Sequence, residues 1–210
     1  LRLGPSYAPD EPRTYFSFVD EGGFVAAAER CVGVGKCRRI DSSGGVMCPS
    51  YMATREEKHS TRGRARLLFE MLHGGAMEGG FEADAVEDAL SLCLACKGCK
   101  SDCPVNVDMA TYKAEFRAHH YKGKPRPRAA YSMGLIHRWA PLGARMPRLV
   151  NLATRLPGVR AIAKSVAGLA QERTVPAFAH ETFRSWFARR DDRPASGEPV
   201  MIWPDTFNDH

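Results

Sequence analysis

The sequence predicts a mainly α-helical protein. Three observations carry that expectation: apolar residues recur at helical spacing, Ser, Thr and Asp stand where helices begin, and Gly or Pro stands where they stop. The chain has 210 residues, of which 44% are hydrophobic and 26% charged, enough to bury a core without disulfide staples. Collagenous, wholly disordered and small disulfide-scaffold classes are excluded, and no apolar run approaches the ~18 residues of a membrane span.

Residues 1–21 are rich in Pro and aromatics (Pro5, Tyr7, Pro9, Pro12, Tyr15, Phe16) and read as an extended lead-in. A short helix is expected over 22–30, delivering Cys31 at its end. Residues 32–50 are Gly- and Ser-rich and read as loop. Ser60 and Thr61 are good N-caps for a helix carrying Ala65, Leu68, Met71 and Leu72, stopped by Gly74-Gly75. Asp84 with Glu87 resembles a capping box for a second helix ending at Cys93, and Asp108 caps a third with Met109, Tyr112 and Phe116 on one face. From residue 124 to 190, Pro125, Pro127, Pro141, Pro147 and Pro157 permit only short or kinked helices, an arm that follows the 22–123 domain. Residues 191–199 read as a polar linker and Val200-Met201-Ile202-Trp203-Pro204 as a strand lacking a partner.

Charge is uneven along the chain. Residues 1–116 hold 14 basic and 17 acidic side chains, residues 117–210 hold 16 and 7, and the total is +6. Clustered positive charge is the footprint of phosphate binding, yet no nucleic-acid motif accompanies it and prolines interrupt any long recognition helix, so no nucleic-acid partner is expected. The same basic segments, with Trp139 and Leu142, also fit contact with a membrane surface.

All seven cysteines lie between positions 31 and 103, an odd, tightly spaced set that suits metal binding in the cytoplasm better than secreted disulfides. Cys93-x2-Cys96-x2-Cys99-x3-Cys103-Pro104 lets three thiolates grip one cubane while the fourth serves another cluster. That partner is Cys31-x5-Cys37 with Cys48-Pro49, where Val34 occupies the place of a missing cysteine. Crossing the fourth ligands gives Cys93, Cys96, Cys99 and Cys48 as a complete set for a [4Fe-4S] cluster. Cys31, Cys37 and Cys103 form a three-cysteine set for a [3Fe-4S] or a [4Fe-4S] cluster. Structural zinc favours CxxC pairs separated by a longer span, so the run points to iron and sulfide. Each cluster with its thiolates adds about −2, bringing the chain near a net +2. His119 and His120 read as solvated or structural, Arg38, Arg39, Arg62, Arg64 and Arg66 as either charge-compensating or solvated, and no catalytic acid or base is expected.

The stretches Arg30-Cys31-Val32-Gly33-Val34-Gly35-Lys36-Cys37-Arg38-Arg39, Gly44-Gly45-Val46-Met47-Cys48-Pro49 and Ser60-Thr61-Arg62-Gly63-Arg64-Ala65 resemble the iron-sulfur module of large FAD-linked 2-hydroxyacid dehydrogenases. This D-2-hydroxyglutarate and D-lactate dehydrogenase-like family is related to the iron-sulfur subunits of glycolate oxidase and anaerobic glycerol-3-phosphate dehydrogenase. The resemblance implies an all-helical ferredoxin-like dicluster domain, since the 44 residues between Cys48 and Cys93 read as helical. It implies partners too: an FAD-binding domain before Leu1-Arg2-Leu3-Gly4-Pro5, a CCG-type domain whose first strand is 200–210, and a quinone or other electron acceptor. Location is expected to be cytoplasmic, with peripheral contact at the inner membrane face as an option. A freestanding iron-sulfur redox sensor or a membrane-surface electron-transfer subunit are the alternatives.

Overall fold

A computed structural model describes residues 7, 9–41, 45–74, 77–190 and 197–210. The expected Leu1–Pro5 exit, Gly44, Gly75 and the 191–196 part of the linker lie outside the described residues. Among those described there is no strand, and the helical fold class is borne out. The chain divides into two compact units, Leu1–Lys124 and Pro125–His210.

The first unit contains α1 (Phe24–Glu29), α2 (Pro49–Thr54), α3 (Thr61–His73), α4 (Asp84–Ser91), α5 (Gly98–Asp102) and α6 (Met109–His120). Phe24, Val25, Ala27 and Ala28 of α1 are buried, as are Leu68 and Met71 of α3, Val86 and Leu90 of α4, and Met109, Tyr112 and Phe116 of α6. Each large apolar side chain so buried stabilises the unit by roughly 1.5–3 kcal/mol. Phe24 lies tilted against Phe18 at 5.0 Å and meets Tyr112 edge-on at 6.1 Å, so the lead-in is anchored on the core.

Two carboxylates hold backbone amides far from them in sequence. Glu11 accepts from the amides of Phe24 and Val25 and so satisfies the open N-terminus of α1, whose own N-cap is Gly23. Glu115, with no exposed surface, accepts from the amides of Tyr15 (2.9 Å) and Phe16 (2.9 Å) and binds the lead-in to α6. Ser60 and Asp108 cap α3 and α6 as expected, accepting from Gly63 N at 2.9 Å and Thr111 N at 3.2 Å. Gly74 closes α3 at φ 63°, a left-handed conformation that costs glycine little.

The capping box at Asp84 does not form. Ala83 is the N-cap and Asp84 the first helical residue, while Glu87 turns to Arg117 of α6 in a two-point ion pair with a shortest distance of 2.6 Å. Both acids still lie in the first turn, where the helix dipole favours negative charge.

The second unit comprises α7 (Arg128–Ser132), α8 (Ile136–Ala144), α9 (Pro147–Arg155), α10 (Pro157–Ala167), α11 (Phe183–Ala188) and α12 (Thr206–Asp209). Pro147 and Pro157 start their helices at the first position, where the missing N–H is no loss. Asn151 clips the 178 region by donating to and accepting from the Phe178 backbone, both at 2.9 Å. Few side chains are buried: among those described, Ala140, Lys164 and Asp209, the Lys164 ammonium donating to the carbonyl of Gln171 at 2.8 Å. The run read as a strand, 200–204, takes no regular structure, because no second strand among the described residues offers it a ladder, and Val200, Met201, Ile202 and Trp203 are exposed. No helix among the described residues is long and apolar enough to cross a membrane.

Candidate metal centre

All seven cysteines are free thiols. Cys37, Cys48, Cys99 and Cys103 are buried in the core of the first unit, Cys31 and Cys93 are half-buried, and Cys96 is exposed. Three helix beginnings serve them. Cys48 stands at φ 56° immediately before α2, whose first residue is Pro49. The α3 N-terminus lies over Cys48 and Cys37: the Thr61 amide donates to Cys48 Sγ at 3.0 Å with Thr61 Oγ1 at 2.9 Å, and the Arg62 amide donates to Cys37 Sγ at 3.3 Å. Near Cys99 the backbone amides of Met109 and Ala110, at the start of α6, act to lower the thiol against its burial. Helix N-termini present unsatisfied N–H groups and partial positive charge, which favour thiolates.

The electrostatics show which sulfurs are neighbours. Burial pushes the Cys31 thiol up, and nearby Cys37 and Cys103 push it further, so the three cysteines of the expected second set share one neighbourhood. Burial also pushes Cys99 up, against the two α6 amides and with help from Asp108 and Cys93. Cys37 is drawn down, chiefly by the neighbouring Cys48 thiol, with the Arg62 amide assisting against burial; Cys48 is raised in turn. That Cys37–Cys48 contact runs across the two expected sets and not within one.

Between Leu92 and Cys99 the chain makes a tight loop in which Ala95 and Lys97 adopt positive φ (52° and 59°). Lys97 and Lys100 reach Asp108 at 3.3 and 3.4 Å, so the α6 cap is also the anchor of this loop. Buried Lys113 donates to the Cys93 carbonyl at 2.6 Å. On the other side, Asp102 accepts from the amides of Val46 (2.7 Å) and Met47 (3.0 Å), tying the residue before Cys103 to the strand of chain before Cys48.

No group of three or more Cys, His, Asp or Glu among the described residues is set to hold a single metal ion. A cluster spreads its thiolates around a core of several irons, so wider spacing is what its ligands require. The donor set fits such a group: soft thiolates only, approached by amides of the kind that hydrogen-bond cluster sulfur. Val34 is 61% exposed, so the place of the missing cysteine opens to solvent.

The arginines divide by role. Arg64 is buried and donates to the Ala89 carbonyl (2.7 Å) and Ser50 Oγ (2.9 Å), bridging α3 to α4 and α2. Arg38 and Arg62 pair with Glu57, and Arg66 with Glu70. His119 bonds Glu115 and His120 bonds the Phe81 carbonyl, each at 2.9 Å, which is the structural of the two roles expected of them. The burial of Arg64 and Glu115 and the aim of the α3 amides have no signal in the spacing: the Ser60 cap stands twelve positions after Cys48, with α2 between them.

Residues 27–107 match the 4Fe-4S dicluster domain family, which bears out the iron-sulfur reading. Beyond that segment the chain is similar to curated D-2-hydroxyglutarate dehydrogenases. It is 27% identical to that of Escherichia coli (strain K12) over 68% of this chain and 17% of the relative. With that of Pseudomonas putida it shares 30% over 60% and 15%, and with that of Haemophilus influenzae 24% over 80% and 19%. The chain thus spans less than a fifth of the length of these relatives. No solved structure matches it. The resemblance to 2-hydroxyacid dehydrogenases is borne out at the level of an iron-sulfur module.

Proposed function

We propose that this chain is the electron-transfer part of an FAD-linked dehydrogenase acting on a 2-hydroxyacid, D-2-hydroxyglutarate being favoured by the relatives' names. Its seven cysteines hold two clusters: Cys93, Cys96, Cys99 and Cys48 a [4Fe-4S] cluster, and Cys31, Cys37 and Cys103 a second that is [3Fe-4S] or has a fourth iron without a cysteine. The observation that carries the reading is the convergence of the Thr61 and Arg62 amides of α3 on the Cys48 and Cys37 sulfurs inside the segment matching the dicluster family. When bound, the clusters supply one-electron storage. The protein's own part is to hold the thiolates deprotonated, donate amides to sulfur and exclude water from Cys37, Cys48, Cys99 and Cys103. The open corner at Val34 favours loss of an iron there, or water as its ligand.

The FAD-binding domain precedes this segment, the CCG-type domain follows it, and a quinone or another carrier takes the electrons. Peripheral contact with the inner membrane face is a second reading for the 124–190 arm. It is favoured by Leu149, Leu152, Val159 and Ile162, which are exposed among eleven basic and no acidic residues over 117–164; co-sedimentation with anionic but not zwitterionic vesicles tests it.

The experiment for the main reading uses the full-length protein. Anaerobic D-2-hydroxyglutarate should reduce the flavin and then generate cluster EPR signals, and Cys93→Ser should leave flavin reduction intact while slowing acceptor reduction. Normal acceptor reduction without clusters would overturn it.

A further inference from the structure

Arg39 is anomalous. Its Nη1 and Nη2 are both buried and neither has a hydrogen-bond partner. A buried guanidinium without a partner is expensive, and such cations are ordinarily paired with a carboxylate or bound to several acceptors. Asp102, on the same side of Gly45, does not pair with it: it turns an oxygen to the amides of Val46 and Met47, and no ion pair joins it to Arg39 within 4.0 Å. Both groups crowd the same side of Gly45, where an added Cβ would come within 2.8 Å of Arg39 Nη1 and 2.4 Å of an Asp102 oxygen. Glycine at φ 138° is what leaves room for the guanidinium there. Arg39 follows Cys37 by two residues, and Asp102 precedes Cys103, so this cation without a hydrogen-bond partner is joined by short stretches of chain to two ligands of the three-cysteine set.

We propose that Arg39 is a charge partner, beside Arg62, of the cluster held through Cys31, Cys37 and Cys103, and that it raises that cluster's reduction potential. The inference rests on the dicluster reading above. Reduction adds one negative charge to the cluster, and a desolvated cation beside it favours the reduced form far more than a solvated one does. Arg38, its neighbour, is the natural control: it is half-exposed and already paired with Glu57 at 2.8 Å, so solvent screens it.

The test is an EPR-monitored potentiometric titration of the anaerobically reconstituted full-length protein, with iron counted for each variant. Arg39→Gln should lower the midpoint of one cluster by a tenfold change in its one-electron equilibrium, about 59 mV. Arg39→Lys should recover much of the shift, and Arg38→Gln should leave the midpoint near wild type. Asp102→Asn, which keeps an acceptor for the two amides and removes a negative charge, should move the same midpoint upward. Full iron content with unmoved midpoints in Arg39→Gln and Asp102→Asn overturns the inference alone. If Arg39→Gln takes up no iron, Asp102→Asn decides, and an unmoved midpoint overturns the inference. A wild-type protein that binds no iron overturns the dicluster reading and this inference with it.

Discussion

Gly63 lies inside α3, where intrinsic propensity favours alanine by about 1 kcal/mol. The structure reverses that expectation. A Cβ at position 63 would stand 2.0 Å from the Glu57 carbonyl oxygen and 2.7 Å from its carbon, and these are backbone atoms that cannot swing aside. That carbonyl is already held by the Ser60 amide (2.9 Å) and the Ser60 hydroxyl (2.8 Å), whose oxygen caps the helix at Gly63 N. Gly63→Ala must therefore push the 57–59 turn off α3. Overpacking of this kind costs about 1–3 kcal/mol, and a disturbed cap adds about 1 kcal/mol. Set against the propensity gain, the net is a destabilisation of about 2 kcal/mol. Because Thr61 and Arg62, the donors to Cys48 and Cys37, move with the cap, the variant should also lose iron faster to a chelator. Urea denaturation of the apo chain and the rate of loss of visible cluster absorbance report the two effects. A variant as stable as wild type, or more stable, would refute the reasoning.

Other positions give independent checks. Glu115→Ala strands the Tyr15 and Phe16 amides and should cost about 3 kcal/mol by denaturant titration, with new proteolytic cleavage in the lead-in. Thr61→Val keeps the amide to Cys48 and removes the hydroxyl, for a loss of about 1 kcal/mol and a smaller rise in chelator-driven iron loss than Gly63→Ala. Asp102 is held below the usual carboxylate range by the Val46 and Met47 amides. Burial pushes Asp108 up, but the Thr111 amide and hydroxyl together with Lys97 hold it low. A carboxyl whose folded pKa is depressed stabilises above its unfolded value, ~4, and that stabilisation is lost as pH falls through the folded value. Thermal stability of the apo chain should accordingly drop below about pH 4, and Asp108→Asn should flatten the drop.

Much of this was written in the sequence, and the failures have physical causes. The ends of α3 and α6 were legible because Ser60, Gly74 and Asp108 are local signals that act through neighbouring amides. The box at Asp84 was misread because Glu87 has a better partner in Arg117, 30 residues away, and spacing contains no such information. The run 200–204 has strand composition but no ladder, and pairing is a tertiary fact. The cysteines announced cluster chemistry by spacing alone. The aim of helix amides at their sulfurs, the burial of Glu115 and Arg64, and the orphaned guanidinium of Arg39 depend on packing, since charged side chains read as solvated until a fold encloses them.

The central claim is that seven thiols hold two iron-sulfur clusters. Iron, acid-labile sulfide and zinc counted on the anaerobically reconstituted chain, with EPR of the oxidised form, test it most directly. The account predicts about seven or eight irons per chain with sulfide to match and no zinc. An oxidised-state signal accompanies seven, and EPR silence accompanies eight. One zinc per chain without sulfide, or a single cluster of about four irons, would contradict it.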